Sequence, residues 1–220
     1  MRLEHVVTGW TRGGLGYVTK LLKASGCDVG TTFDADTTKE NLEQKLQEAR
    51  TVEVSPYLVP FLPFFRSQRA TFILRDPMRV LNSLYFHGFF HGERHSDVAH
   101  FAFKHLPGFE YKFKGKPGQA GCSYLWNWLK AAKSNHAGLE QIRVEEGPAK
   151  IRRHFNLPAS DRYVEPYTNA SYCRQIIIPS DLPPHSKTGM VSLLIQLGYR
   201  EAYWSPRGGH AHYVNPDWHC

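Results

Sequence analysis

Short apolar runs alternate with amphipathic stretches along this chain. The first run, EHVVTG, closes on glycine, and LGYVTKLLKASG after it sets Leu15, Val18, Leu21 and Leu22 at helical spacing before Gly26. The pair predicts strand, glycine-rich turn and helix. Thr37 and Thr38 then precede KENLEQKLQEA, where Leu42, Leu46 and Ala49 share one face and Glu and Lys alternate on the other, which predicts a second amphipathic helix. RTVEVSPYL predicts a strand ending at Pro56, ATFILRDP a fully buried strand ending at Pro77, and MRVLNSLYF the helix that follows. Strands that alternate with helices imply an α/β fold with a parallel sheet.

Periodicity weakens beyond Phe90, and turn signals occur at LPG and GKPGQAG, so residues 88–121 are expected to leave the sheet on the substrate side. CSYLWNWLKAAKSN restores an apolar stripe at Leu125, Trp128, Leu129 and Ala132, LEQIRVEEG predicts a further strand, and PAKIRRHFNLP a short helix opened by proline. SKTGMVSLLIQLGY predicts the last helix, with Met190, Leu193, Leu194 and Leu197 at helical spacing. The tail after Tyr199 is left without an assignment.

At 220 residues the chain fits one domain, 1–220. The formal charge of +7, from 27 Lys plus Arg against 20 Asp plus Glu, favours an anionic partner without choosing which. Cys27, Cys122, Cys173 and Cys220 lie far apart with no C-x-x-C pair, so neither a zinc site nor a redox motif is expected. MRLEHVVTG has no signal-peptide pattern and no stretch reaches 18 apolar residues. The expectation is a soluble, cytoplasmic protein with no membrane segment, in which the N-A-S sequon at Asn169 has no role. Aromatics among basic residues in FEYKFKGK suggest nucleic acid only weakly, and none is expected as a partner.

Two segments carry chemistry. In VVTGWTRGGLGYVTKLL, Gly9, Gly13, Gly14 and Gly16 lie between a strand and a helix, where glycine lets backbone amides approach an anion. It is not a Walker sequence: Gly14 is followed by Leu15 and Gly16 in place of Lys and Ser or Thr, which disfavours ATP hydrolysis with a P-loop magnesium site. The dinucleotide pattern G-x-G-x-x-G fails on spacing. One cation, Arg12, stands inside the loop. In FILRDPMRVLNSLYFHG, Arg75 ends a buried strand and Ser83 follows eight residues later in the next helix, so both can face the carboxyl edge of the sheet. A planar guanidinium beside a neutral hydroxyl suits a terminal phosphate.

Both segments resemble those of the sulfotransferases. The first is similar to the family's 5'-phosphosulfate loop, of the form P-K/R-S-G-T-T-W or R-K-G-G-T: Arg12 matches the catalytic Lys or Arg, Gly13 and Gly14 the following pair, and Tyr17 the aromatic. Leu15 and Gly16 replace the usual hydroxyl residues. The second resembles the 3'-phosphate motif, strand-end Arg, then D/N-P, then a Ser eight residues after the Arg. The two occur in the family's order, and the resemblance runs from about Glu4 to Gly92, with a weaker match over RVEEGPAKIRRHFNLP.

The resemblance implies a three-layer P-loop-like fold, a central parallel sheet flanked by helices, and the cofactor 3'-phosphoadenosine 5'-phosphosulfate without a metal. It implies sulfuryl transfer to a hydroxyl or amine on a small-molecule or glycan acceptor. Arg12, Gly13, Gly14, Leu15, Gly16, Tyr17, Arg75 and Ser83 become the cofactor-binding set, with Arg12 also countering charge on the leaving oxygen. For the base, the strand His of the small-molecule enzymes is matched by Ser55 and its neighbouring Lys by Glu53, while the Glu that follows the first helix in glycan-modifying relatives has Asp28 and Asp34 in its neighbourhood; Glu53, Asp34 and His87 stand as catalytic candidates. Two other functions remain open: a nucleotide-binding pseudoenzyme of the same fold, and a small-molecule kinase, which the missing Lys-Ser/Thr opposes.

Overall fold

Five strands, β1 (His5–Gly9), β2 (Val29–Gly30), β3 (Val52–Val54), β4 (Arg69–Leu74) and β5 (Glu140–Arg143), form one all-parallel sheet in the order β2-β3-β1-β4-β5. The computed structural model describes residues 3–87, 89, 97–106, 117–158 and 182–199. The Asn169 sequon, FEYKFKGK, Cys173, Cys220, most of the expected excursion and the tail lie outside the described residues.

Strand side chains alternate between two apolar layers, as burial on both faces requires. Val6, Phe72 and Leu74 face one cluster, and Val7, Val54, Ile73 and Ile142 the other. Against the second face lie α1 (Leu15–Ala24), through Val18, Leu21 and Leu22, and α6 (Gly147–His154), through Ile151. The first face is covered by α3 (Pro77–Phe86), α5 (Pro117–Asn135) and α7 (Pro184–Gln196), with Leu81, Leu84, Leu125, Trp128 and Leu193 at most 3% exposed. The result is helix, sheet, helix. Each fully buried large apolar side chain contributes roughly 1.5–3 kcal/mol relative to its exposed state.

Four elements depart from the sequence pattern. The strand at RTVEVSPYL stops at Val54, and Pro56–Phe65 coils into a 3-10 helix: Ser55 Oγ caps it by accepting from Tyr57 N–H, and Pro60 and Pro63 remove backbone donors. The helix expected from Cys122 begins at Pro117, inside what read as a turn, because proline is favourable at a first helical position and burial of Ala120 and Cys122 offsets the cost of Gly118 and Gly121. Within the excursion a helix, α4 (Asp97–His105), packs Ala99, Phe101 and Ala102 against the first cluster. The remaining helix, α2 (Leu42–Glu48), is shorter than its amphipathic run. Among the described residues no helix is long and apolar enough to cross a membrane, and no group of three His, Cys, Asp or Glu is placed to hold a metal ion.

Candidate functional site

β1 lies at the centre of the sheet, and its carboxyl end opens into the glycine-rich loop at the point where strand order reverses. The loop is tied down from behind. Trp10, fully buried, donates its indole N–H to Leu125 O at 2.9 Å, and Thr11 N–H donates to Tyr124 Oη at 3.2 Å. Burial pushes the Tyr124 phenol up to about 12, so it stays a neutral hydroxyl at this contact. Gly13 N–H turns back to Trp10 O at 2.8 Å.

The turn then takes two left-handed residues, Arg12 at φ 67° and Gly14 at φ 98°. A non-glycine residue at φ 67° is uncommon. At Gly14 glycine is required twice over, because a Cβ there would stand 2.6 Å from Val144 Cγ1. Gly16 is the opposite case, with open space where its Cβ would be. The first rung of α1 is Val18 N–H to Gly14 O at 3.1 Å, so the amides of Leu15, Gly16 and Tyr17 precede the ladder and are of the kind that binds anions.

Three further side chains reach the loop from β4 and α3. Arg75, just past the end of β4, donates from Nη1 to Arg12 O at 3.1 Å. Burial lowers the Arg75 pKa, with the Glu145 carboxylate opposing that effect. Ser83, buried on α3, accepts from Arg12 Nε at 3.1 Å. One turn later the exposed His87 accepts from Arg12 Nη2 at 2.8 Å. Desolvation first, and then the Arg12 charge, lower the pKa of its ring.

Arg12, Gly13, Gly14, Gly16, Arg75, Ser83 and His87 therefore come together at one edge of the sheet, with Arg12 and Arg75 in contact. Leu15 is 9% and Tyr17 6% exposed, both side chains packing in the cluster under α1 while their amides lie at the start of the helix. The other two base candidates are held by partners outside the loop. Glu53 is fully buried on β3, and its carboxylate accepts from Thr32 N–H, Thr32 Oγ1 and Arg50 N–H at 2.8, 2.9 and 2.8 Å, so it is committed to holding β2 and its flanks. Asp34 sits 2.8 Å from Lys45 Nζ. Burial acts to raise the pKa of Asp34, but the Lys45 ammonium and the Asp36 and Thr37 hydrogen bonds outweigh it and hold the carboxyl below its usual range. It borders an open cavity of about 570 Å³, shared with Asp36, Tyr57, Asp97, Phe101 and Lys104, to which no loop residue contributes.

Glu145 is the residue that sequence reasoning missed. Its Oε1 accepts Asp76 N–H at 2.7 Å and its Oε2 accepts the Tyr199 hydroxyl at 3.2 Å, which fixes the turn that carries Arg75. Burial raises its pKa, aided by the Asp76 charge and opposed by the hydrogen bond from Asp76 N–H and by the Arg75 charge. Its position two residues past β5, at the ligand-bearing edge of a parallel sheet, was the available signal.

Comparison with solved structures gives a likeness of fold. A sulfotransferase crystal structure from Alicyclobacillus acidocaldarius matches over 92% of this chain and 99% of its own, with a TM-score of 0.53 and 12% sequence identity. At that identity the likeness shows a shared fold, α/β with a central parallel sheet between helices. No protein-family model and no curated protein matches the chain.

Proposed function

We propose that this protein is a sulfotransferase that takes a sulfuryl group from 3'-phosphoadenosine 5'-phosphosulfate and passes it to a hydroxyl or amine of a small-molecule or glycan acceptor. The observation that carries this reading is the meeting of Arg12, Arg75 and Ser83 at the mouth of the glycine-rich loop, through contacts of 3.1 Å from Arg12 Nε to Ser83 and from Arg75 to Arg12 O. The fold shared with a bacterial sulfotransferase supports it.

The donor set suits a nucleotide with two anionic ends. The amides before the first rung of α1 and the left-handed turn at Arg12 and Gly14 offer N–H groups to the 5' end. Arg75 and Ser83 offer a fork and a hydroxyl to the 3'-phosphate. Arg12, between the two, supplies positive charge where the leaving oxygen becomes anionic, and a guanidinium does so without giving up a proton. Isothermal calorimetry with 3'-phosphoadenosine 5'-phosphate, ATP and AMP tests the reading. A clear preference for the first is expected; equal affinity for all three would refute it.

A further inference from the structure

We propose that His87, at the carboxyl end of α3, is the general base that removes the acceptor's proton, an inference that rests on the sulfuryl-transfer reading above. A guanidinium nitrogen carries only donors, so the 2.8 Å contact from Arg12 Nη2 makes His87 Nε2 the acceptor. The ring is then neutral, with its proton at Nδ1 and a lone pair directed at the loop. Among the described residues, Arg12 is a charged group that acts on the ring, and Ser83 on the same helix is a neutral hydroxyl. A cation so close keeps the imidazole unprotonated near neutrality, the state a base needs.

Position selects His87 over its rivals. The Glu53 carboxylate is enclosed by three donors, and Asp34 is ion-paired beside a cavity to which the loop does not contribute. His87 is exposed, so an acceptor can reach it from solvent, and it shares one guanidinium with Ser83. The step balances as follows: the acceptor oxygen or nitrogen forms a bond to sulfur, and the sulfur–oxygen bond to the nucleotide breaks, its electron pair staying on the leaving oxygen beside Arg12. The acceptor's proton goes to His87 Nε2. As Arg12 turns its N–H groups toward the anionic donor, it releases the lone pair that it holds here, so that charge stabilisation and proton removal are linked through one side chain.

The experiment uses the full-length protein and has two readouts. Heteronuclear NMR of the imidazole nitrogens, assigned with His87→Gln, is expected to show Nε2 unprotonated near neutrality and a His87 pKa that rises in Arg12→Ala. Turnover of 3'-phosphoadenosine 5'-phosphosulfate with phenol, ethanolamine or N-acetylglucosamine, water always being present as an acceptor, is expected to fall about a hundredfold in His87→Gln. Affinity for 3'-phosphoadenosine 5'-phosphate should be unchanged in that variant, and the rise of rate with pH should disappear. A proton on Nε2 near neutrality, a His87 titration indifferent to Arg12, or full turnover in His87→Gln overturns the proposal while leaving the donor reading intact. Failure of the wild-type protein to bind 3'-phosphoadenosine 5'-phosphate overturns both.

Discussion

Acid should destabilise this protein through one buried imidazole. His5, on the central strand, is 7% exposed, and its ring lies 5.0 Å from that of Phe155. Its Nε2 is 2.8 Å from Thr71 Oγ1, which is 3.0 Å from His154 Nε2, and that ring stands 3.3 Å from Glu140. With both rings neutral, the His154 N–H donates toward Glu140 and Thr71, and the Thr71 hydroxyl donates on to His5. Desolvation, aided by the Arg69 and His154 charges and opposed by Glu140, lowers the His5 pKa from 6.5 to about 4. Above pH 6.5 both the folded and the unfolded chain hold a neutral ring, and the full stabilisation is present. As pH falls below 6.5 the unfolded chain takes up a proton that the folded chain refuses, and stability is lost until the folded ring also titrates near 4. At about 1.4 kcal/mol for each unit of difference, the loss approaches roughly 3 kcal/mol. That is a large part of the roughly 5–15 kcal/mol typical of a domain. Urea unfolding from pH 7 to 4.5 measures it, with His5→Gln, which retains a partner for Thr71, as the control. The half-buried His154, whose pKa is also lowered by burial, adds a slope in the same direction that the variant keeps. The reasoning fails if the stability difference between wild type and His5→Gln is the same at every pH.

Further outcomes concern the loop and its partners. Arg75→Ala should weaken 3'-phosphoadenosine 5'-phosphate by roughly 2–4 kcal/mol in calorimetry and leave AMP almost unaffected, because a charge-assisted contact to the 3'-phosphate is lost. Arg12→Ala should cost far more in turnover than in donor affinity, since the charge it meets grows in the transition state, and Arg12→Lys should retain part of the rate in the same steady-state assay. Gly14→Ala should destabilise the fold by roughly 1–3 kcal/mol in chemical denaturation, from φ 98° and the 2.6 Å approach to Val144. Gly16→Ser, which enters open space, should fold normally and bind the nucleotide at least as tightly, as thermal shift and calorimetry would show.

The periodic parts of the fold were legible. The buried strands at VVTG and TFILR and the stripes of α1, α3, α5 and α7 follow from burial on fixed faces, which sequence spacing records directly. The two-residue β2 left no pattern to read, and the 3-10 helix at Pro56–Phe65 hid behind an apolar run that serves strand or helix equally well. At the site, the loop glycines, Arg12 and Arg75 could be chosen because each stands at a strand end or a turn, and Ser83 by its spacing of eight residues from Arg75. The choice among His87, Glu53 and Asp34 could not be made that way. It depends on which groups each side chain meets across 21 residues for Thr32 and Glu53 and 75 for Arg12 and His87, distances over which local periodicity says nothing.

The anchoring of Trp10 and Thr11 to Leu125 and Tyr124 means that the cradle takes its shape when the chain folds. Its ordering entropy is then absent from the association step, and affinity reflects the contacts made. Tyr124→Phe would keep every group proposed to touch a nucleotide and still remove the hydroxyl that accepts the Thr11 amide. Its signature in calorimetry would be a less favourable binding entropy at nearly constant enthalpy, a defect in readiness originating more than a hundred residues along the chain.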